Sequence, residues 1–128
     1  MATVKAVVSV SDAESRVLAV LWRLGPTTSE RVIDALAQEC WEVSTIKTLL
    51  ARLVRKGAIR AKKEGRRYLY SAVLTREQWI TSESEGLLSR LFGGRLAPLV
   101  RHFSEHRRLS KADITELKRL IQELDDDE

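Results

Sequence analysis

Several residue types that define other classes of protein are scarce in this chain of 128 residues. It has one cysteine, Cys40, so it can form no internal disulfide and has too few thiolates for a cysteine-rich metal site. No apolar run approaches the roughly 18 residues that a membrane-spanning helix needs. The apolar stretch at residues 6–10 is too short for the core of a secretory signal. We therefore expect a cytoplasmic protein.

The residue patterns of catalysis are missing as well. There is no glycine-rich phosphate loop and no supported Ser/His/Asp arrangement, so we expect no enzyme and no cofactor. His102 and His106 are spaced i, i+4 and could face one ion. Two histidines without a third ligand make a weak site, so a surface or interface pair is favoured and no metal is expected. Cys40 is expected to be a small packed residue rather than a redox sensor.

Basic residues are concentrated in one part of the chain. Residues 1–75 carry 13 Lys and Arg against 7 Asp and Glu, whereas residues 76–128 carry 9 against 11. Between Ser44 and Arg67 there are nine basic residues and one acid, Glu64. Such a local excess is typical of a surface that binds a polyanion, although a solvated basic face has the same composition.

Two helices are predicted at the start of the folded region, after an N-terminal arm of residues 1–10. Ser11 and Glu14 have capping-box spacing, which predicts a helix start at Ser11. Gly25-Pro26 ends this helix, because glycine suits the left-handed cap and proline cannot continue the helix. A second helix begins after Thr27 or Thr28.

The third predicted helix, Ser44 to Lys56, is the clearest element, although Val43 is an alternative start. Its apolar side follows the helical repeat and comprises Ile46, Leu49, Leu50, Leu53 and Val54. The opposite side carries small hydroxyls and long cations, which is what a helix needs to enter the major groove of DNA. The residues predicted to read base edges are Thr45, Lys47, Thr48 and Arg52.

A basic hairpin follows the third helix. Strands are predicted at residues 58–63 and 67–73, joined by the tight turn Glu64-Gly65-Arg66. Three helices followed by a hairpin form a winged helix-turn-helix, predicted over residues 11–75. The residues expected to contact the DNA backbone are Thr28, Ser29, Arg55, Lys56, Lys62, Lys63, Arg66 and Arg67. The alternative is a winged-helix module that docks an acidic protein partner.

Residues 76–128 are predicted to be helical and to end in a solvated acidic tail. The helices are too few and too short to enclose a core alone, so their apolar faces need a partner. A second copy of the chain is the simplest partner, and folding back onto the N-terminal domain is the alternative. The residues predicted to mediate dimerisation are Leu87, Leu91, Leu96, Leu99, Val100, Phe103, Ile114, Leu117, Leu120, Ile121 and Leu124.

The segment Ser44 to Ile59 resembles the third helix of the penicillinase-repressor family (BlaI, MecI and CopY type). Glu14 to Trp22 is similar to the first helix of that family, and Glu64 to Tyr70 matches its wing. The segments Leu91 to Gly94 and Leu109 to Leu117 match its C-terminal region, so the resemblance covers residues 11–124. It implies a homodimeric repressor that binds an inverted-repeat operator, often at antibiotic-resistance or copper-handling genes.

The resemblance also bears on how repression ends. In β-lactam-responsive members, a membrane sensor protease triggers cleavage of an Asn-Phe bond in the dimerisation region. The matching position here is His102-Phe103, with histidine in place of asparagine, and it marks the place of a proteolytic switch. Copper-responsive members carry a Cys-x-Cys motif near the C-terminus, and this chain has no cysteine after Cys40. The inducing signal stays open.

Overall fold

The structure, a computed structural model, describes residues 9–127. It consists of six helices, one 3₁₀ turn and one two-stranded hairpin within these residues, and so confirms the predicted mostly helical class. In chain order the elements are α1 (Asp12–Leu24), α2 (Ser29–Ala35), the 3₁₀ turn (Ala37–Glu39), α3 (Val43–Lys56), β1 (Ile59–Glu64), β2 (Arg67–Ala72), α4 (Arg76–Phe92), α5 (Leu96–Glu105) and α6 (Lys111–Asp126). No helix in this part of the chain is long and apolar enough to cross a membrane.

The chain divides into two compact units. The first ends at Glu83 and the second begins at Ser84, so the boundary falls inside α4. The sequence predicted this boundary at residue 75, before the helix. Helix α4 continues without interruption across the division because Gly86 is its only glycine and it contains no proline.

The starts of α1 and α2 are set by local side-chain bonds. Ser11 and Glu14 form the predicted capping box, in which each side chain bonds the backbone nitrogen of the other residue, at 3.1 and 2.9 Å. Gly25 ends α1 with φ +74°. Thr28 caps α2 by accepting a bond from the backbone nitrogen of Arg31.

Helix α3 ends at Lys56 as predicted, but its start is the alternative one. It begins at Val43, with Glu42 as the N-cap and no side-chain cap, so Ser44 lies inside the helix. The buried residues of its apolar side are Ile46, Leu49, Leu50 and Leu53. Val54 was predicted to be buried with them, yet it is 37% exposed. It lies beyond the edge of the stripe that the neighbouring elements cover.

The core of the first unit joins α1, α2, α3 and the base of the hairpin. Its buried apolar residues are Val17, Leu18, Val20, Leu21, Val32, Leu36, Ile46, Leu49, Leu50, Leu53, Ala58, Ile59 and Leu74. Trp22, Trp41 and Trp79 are partly buried against this cluster. The indole nitrogen of Trp22 donates a 2.8 Å hydrogen bond to the carbonyl of Leu74, which ties α1 to the segment after the hairpin.

Strands β1 and β2 form the predicted antiparallel hairpin, with Glu64 opposite Arg67 at its tip. Gly65 takes φ +65° in the connecting turn, as glycine there was expected to do. At the base, Ile59 is buried and faces the core. Thr27 bridges Tyr70 through a pair of backbone hydrogen bonds of 3.0 and 2.7 Å, so the segment before α2 lines the outer edge of β2.

The described end of the N-terminal arm and the turn at Cys40 are short segments outside the α-helices. Residues 1–8 of the predicted arm lie outside the described residues, but Val10 packs against the core and Ser9 accepts a hydrogen bond from Lys56. Cys40 was predicted to be packed and is instead exposed, with φ +58°. It ends the 3₁₀ turn in the left-handed conformation, which directs the chain into α3 but leaves its side chain in solvent.

The second unit has helices but no buried residue among those that the structure describes. Gly93 and Gly94 have φ +59° and +79° and separate α4 from α5. Ser110 and Asp113 form a capping box that starts α6. No residue of α4, α5 or α6 is buried. These helices therefore leave an apolar surface in contact with solvent.

Candidate nucleic-acid interface

The outer side of α3 presents three of the four residues predicted to read bases around one shallow depression. Thr45, Thr48 and Arg52 line it together with Ser44 and Leu49, and it has a volume of about 250 Å³. Lys47, the fourth predicted base reader, is exposed but lies outside this depression. The sequence did not single out Ser44 for this surface because it treated that residue as the helix cap.

The hydroxyl group of Thr48 is already engaged within the helix. Its Oγ1 donates a 2.9 Å hydrogen bond to the carbonyl oxygen of Ser44, one turn earlier. Back-bonding of this kind uses the hydroxyl proton. What Thr48 offers outside the helix is therefore its methyl group and the remaining acceptor capacity of the oxygen.

Most cations of this region have no counterion. Of the nine basic residues between Ser44 and Arg67, only Lys56 forms an ion pair with any of the described residues. The other eight are exposed, and they include the predicted backbone contacts Arg55, Lys62, Lys63, Arg66 and Arg67. A cluster of unpaired like charges repels itself and attracts a polyanion.

Lys56 has a different environment from the one that its sequence position suggested. Its Nζ lies 2.6 Å from Oε1 of Glu14 and 2.7 Å from the carbonyl oxygen of Ser9. The Glu14 carboxylate is 2% exposed, so this ion pair joins the C-terminal end of α3 to the N-terminal end of α1. Lys56, predicted to contact phosphate, thus has an intramolecular partner, while its side chain is still 36% exposed.

The same ion pair shifts the titration of Glu14. Burial alone would raise the pKa of Glu14, but the hydrogen bonds from Lys56 and Ser11 and the Lys56 charge together outweigh burial and lower the pKa below its ordinary value. Glu14 is therefore ionised in the folded protein at neutral pH. Its negative charge neutralises the positive charge of Lys56, the one basic side chain of α3 that turns toward the protein.

A cleft between the start of α2 and the hairpin, here called the α2–wing cleft, brings one further cation, Arg31, to the same cleft as Arg67. It has a volume of about 460 Å³ and is lined by Pro26, Thr27, Thr28, Glu30, Arg31, Arg67 and Leu69. Arg31 and Arg67 form no ion pair with the described residues. The hydroxyl oxygen of Thr27 is buried without a hydrogen-bond partner there. Sequence reasoning missed Arg31, because only the fold brings α2 beside β2.

The two predicted backbone contacts at the start of α2 have different surroundings. Thr28 is 7% exposed, and its hydroxyl caps the helix through the backbone nitrogen of Arg31 at 3.4 Å. Ser29 is half-buried. The side chain of Thr28 is thus occupied in holding the helix start in place, while the cations of the α2–wing cleft remain free.

The second unit exposes most of the residues predicted for dimerisation. Eight large apolar side chains are at least 36% exposed: Leu87, Leu91, Leu96, Phe103, Ile114, Leu120, Ile121 and Leu124. Leu99, Val100 and Leu117 are half-buried. Exposed apolar surface of this extent is unusual on a monomer and typical of an interface.

The bond between His102 and Phe103 lies inside α5, with both side chains exposed. The rings of His102 and His106 stack with centroids 4.3 Å apart, and Phe92 lies 6.2 Å from His102. No group of three metal-ligating side chains occurs among the described residues. A protease that cuts after His102 would have to unwind this helix, since the segment is already hydrogen-bonded within α5.

Comparison with known proteins gives consistent results over nearly the whole chain. A sequence model described as "Penicillinase repressor" matches residues 10–123. The penicillinase repressor of Bacillus licheniformis is 34% identical over 120 residues, which cover 93% of this chain and 94% of that protein. The methicillin resistance regulatory protein MecI of Staphylococcus aureus is 27% identical over 113 residues, covering 88% and 92% of the two chains.

Two solved structures of BlaI match about three fifths of the chain. The DNA-binding domain of the repressor BlaI is 33% identical with a TM-score of 0.52, and the match covers 61% of this chain and 93% of that domain. Monomeric BlaI of Bacillus licheniformis, solved in complex with the blaP half-operator, matches over the same shares with a TM-score of 0.50.

Proposed function

Because the chain belongs to the penicillinase repressor family, and is thus a DNA-binding transcriptional repressor, we propose that it acts as a homodimer on a palindromic operator. Helix α3 enters the major groove, and the hairpin and the α2–wing cleft hold the flanking phosphates. The observation that carries this proposal is the two-sided character of α3. Its leucines and isoleucine are buried in the core, while Thr45, Lys47, Thr48 and Arg52 are exposed to solvent on the other side.

Base reading is assigned to the outer side of α3. Arg52 is long enough to donate two hydrogen bonds to the O6 and N7 atoms of a guanine. The methyl group of Thr48 suits contact with a thymine methyl, because its hydroxyl proton is bonded to Ser44. Thr45 and Lys47, in the first two turns, complete the set of residues that meet base edges.

Phosphate binding is assigned to the unpaired cations around α3. Arg55 lies toward the C-terminal end of the helix, and Lys62, Lys63, Arg66 and Arg67 lie on the hairpin. Arg31 joins Arg67 at the α2–wing cleft, where their charges can share one phosphate. Such contacts orient the domain on the duplex and carry no sequence information of their own.

Dimerisation is assigned to the second unit. Leu96 and Phe103 on α5 and Ile121 and Leu124 on α6 expose apolar area that costs free energy in water. A second copy covers the same surface on both partners through a two-fold axis, and this symmetry requires an operator whose half-sites are inverted repeats. The relative MecI is named as a methicillin resistance regulatory protein, which supports a target among resistance genes rather than the dimer.

We propose that the repressed genes are antibiotic-resistance or stress genes and that the protein acts in the cytoplasm of the host. We assign the end of repression to cleavage of the dimerisation region. A membrane sensor protease system that acts on the His102–Phe103 position would separate the paired DNA-binding units. Because this bond lies within α5, cleavage requires local unwinding. Because histidine replaces asparagine on the N-terminal side of this bond, the rate of its proteolytic cleavage has to be measured with the purified chain.

The test begins with selection of duplexes from a random-sequence pool by the full chain. The selected site, one isolated half-site and a scrambled duplex are then titrated by fluorescence anisotropy over a range of salt concentrations. We expect enrichment of an inverted repeat, tighter binding to the repeat than to the half-site, and affinity that falls linearly with the logarithm of salt concentration. The scrambled duplex should bind only through the salt-dependent contacts with phosphates, which do not depend on sequence.

Enrichment of no sequence, or equal affinity for the repeat and the scrambled duplex, would contradict the proposal. A module that docks an acidic protein would also be sensitive to salt, so the selectivity for sequence is the discriminating measurement. Binding to an inverted repeat by a protein that sediments as a single copy would contradict only the homodimer.

A further inference from the structure

A second binding groove lies on the first unit and is lined by none of the residues assigned to DNA. It is formed by one outer stripe of α1 and the first turn of α4, and is here called the tryptophan groove. Its volume is about 460 Å³, and its lining residues are Ser15, Arg16, Ala19, Trp22, Arg23, Arg76 and Trp79. This volume lies within the range of small-molecule sites, about 300–1,000 Å³.

The groove exists because the small side chain of Ala19 lies between larger side chains on the same side of α1. Residues 15, 16, 19, 22 and 23 recur at helical spacing and share one side of α1. Ala19 lies at the middle of this stripe and is exposed, so nothing fills the space above it. Trp22 and Trp79 form an apolar wall, with ring centroids 5.7 Å apart and planes inclined at 41°.

The charges at the groove have one sign. Arg16 is held in place by Asp12 and Glu39, at 3.2 and 3.1 Å. Arg23 and Arg76 form no ion pair with the described residues. An apolar groove whose two free charged groups are both guanidinium groups is complementary to a ligand with an apolar body and a carboxylate.

The wall of the groove also has an unsatisfied donor. The indole nitrogen of Trp79 is buried and has no hydrogen-bond partner among the described residues, whereas that of Trp22 is bonded to Leu74. A buried donor without a partner is rare in folded proteins.

We propose that the tryptophan groove binds a small aromatic carboxylate, whose ring lies against Trp22 and Trp79 and whose carboxylate is bound by Arg23 and Arg76. An aromatic ring is favoured over an aliphatic body because offset or edge contacts with two indoles add to the burial of apolar area. This site lies on the DNA-binding unit, but its occupancy does not depend on the operator or on dimerisation.

The three tryptophans of the chain provide a direct test. Sodium benzoate is titrated into the full ¹⁵N-labelled protein, and the indole N–H signals of Trp22, Trp41 and Trp79 are followed by NMR. Trp41 packs against the core but does not line the groove, so it serves as the internal control. We expect saturable shifts of the Trp22 and Trp79 signals and an unchanged Trp41 signal.

Variants of the protein and an uncharged ligand distinguish binding of the carboxylate from binding of the aromatic ring. Arg76→Gln should weaken benzoate binding by about tenfold, the loss of one charge-assisted contact, and Arg95→Gln, on an exposed arginine outside the groove, should not. Ala19→Leu should abolish binding by filling the space, with the Trp41 signal confirming the fold. Benzamide, which has the ring without the charge, should bind more weakly than benzoate.

The proposal is overturned if millimolar benzoate shifts none of the three signals, or shifts all three alike. It is also overturned if benzamide binds as tightly as benzoate, or if Ala19→Leu leaves the affinity unchanged. None of these outcomes bears on DNA binding, which is measured separately with the selected duplex.

Discussion

Lys56 and Glu14 connect the end of α3 to the start of α1. The Nζ of Lys56 lies 2.6 Å from Oε1 of a carboxylate that is only 2% exposed, and the same carboxylate caps α1 by accepting from the backbone nitrogen of Ser11. One side chain thus serves a helix cap and an ion pair. The contact fixes the position of α3 relative to the body of the domain.

We expect Lys56→Met to destabilise the first unit by about 2 kcal/mol. The substitution leaves the Glu14 carboxylate buried without its counterion, and breaking a fully buried pair costs about 3–5 kcal/mol. The expected cost is smaller because the Lys56 side chain is 36% exposed and water screens the pair. Urea unfolding near neutral pH measures it.

Lys62→Met is the matched control for this variant. Lys62 is exposed on the hairpin and forms no ion pair with the described residues, so its loss should change the free energy of unfolding by no more than about 0.5 kcal/mol. Equal stabilities of the two variants would show that the Lys56–Glu14 contact contributes nothing.

The stability should fall in acid through Glu14. Its pKa in the folded protein lies below the ordinary value of 4.5, so the unfolded chain binds more protons in this range. The contribution is therefore complete above pH 4.5 and is lost as the pH falls through the folded-state pKa. Unfolding measured over this range should show a smaller acid loss in Glu14→Gln than in the unaltered protein, and parallel curves would contradict this assignment.

Arg52→Ala should weaken binding to the selected operator by about 1–3 kcal/mol and relax the preference at one base pair in each half-site, because a bidentate contact to guanine is lost. Arg55→Ala, three residues along the same helix, is the matched control, since a phosphate contact there weakens all sequences alike. Repeating the duplex selection with both variants distinguishes them. An unchanged base preference in Arg52→Ala would remove this residue from the base-reading set.

Arg31→Ala should weaken selected and scrambled duplexes equally and reduce the slope of log affinity against log salt concentration by about one, because one phosphate contact is lost. Glu30→Gln, in the same cleft, should instead strengthen binding to both duplexes, because it removes a negative charge that faces the phosphates. Salt titrations by anisotropy measure both. Weakening by Arg31→Ala that is confined to the selected duplex would contradict a phosphate role.

Ile121→Asp should convert the dimer to single copies, because a buried, unpaired carboxylate at an apolar interface is costly. Thr115→Asp introduces the same charge on the side of α6 away from Leu117 and Leu124 and should leave the dimer intact. Sedimentation velocity measures the oligomeric state. A dimer that survives Ile121→Asp would place the interface elsewhere.

Local features of the fold could be predicted because they depend on neighbours in the sequence. The Ser11–Glu14 capping box, the turn at Gly65 and the break at Gly93 each require only a few consecutive residues with suitable chemistry. The start of α3 was harder. Ser44 is the better cap by residue type, yet Glu42 occupies that position without a side-chain bond, because the turn at Cys40 determines where the helix begins.

Three features follow from the sequence alone: the helical repeat that buries one side of α3, the basic excess on its other side, and the apolar stripes of the C-terminal helices. Periodicity and charge are properties of the chain, so they can be found without coordinates. Only the tertiary structure decided which cations remain available. It directs Lys56 to Glu14, brings Arg31 beside Arg67 and leaves a groove between Trp22 and Trp79, because these pairs are distant in sequence and meet only when the helices pack.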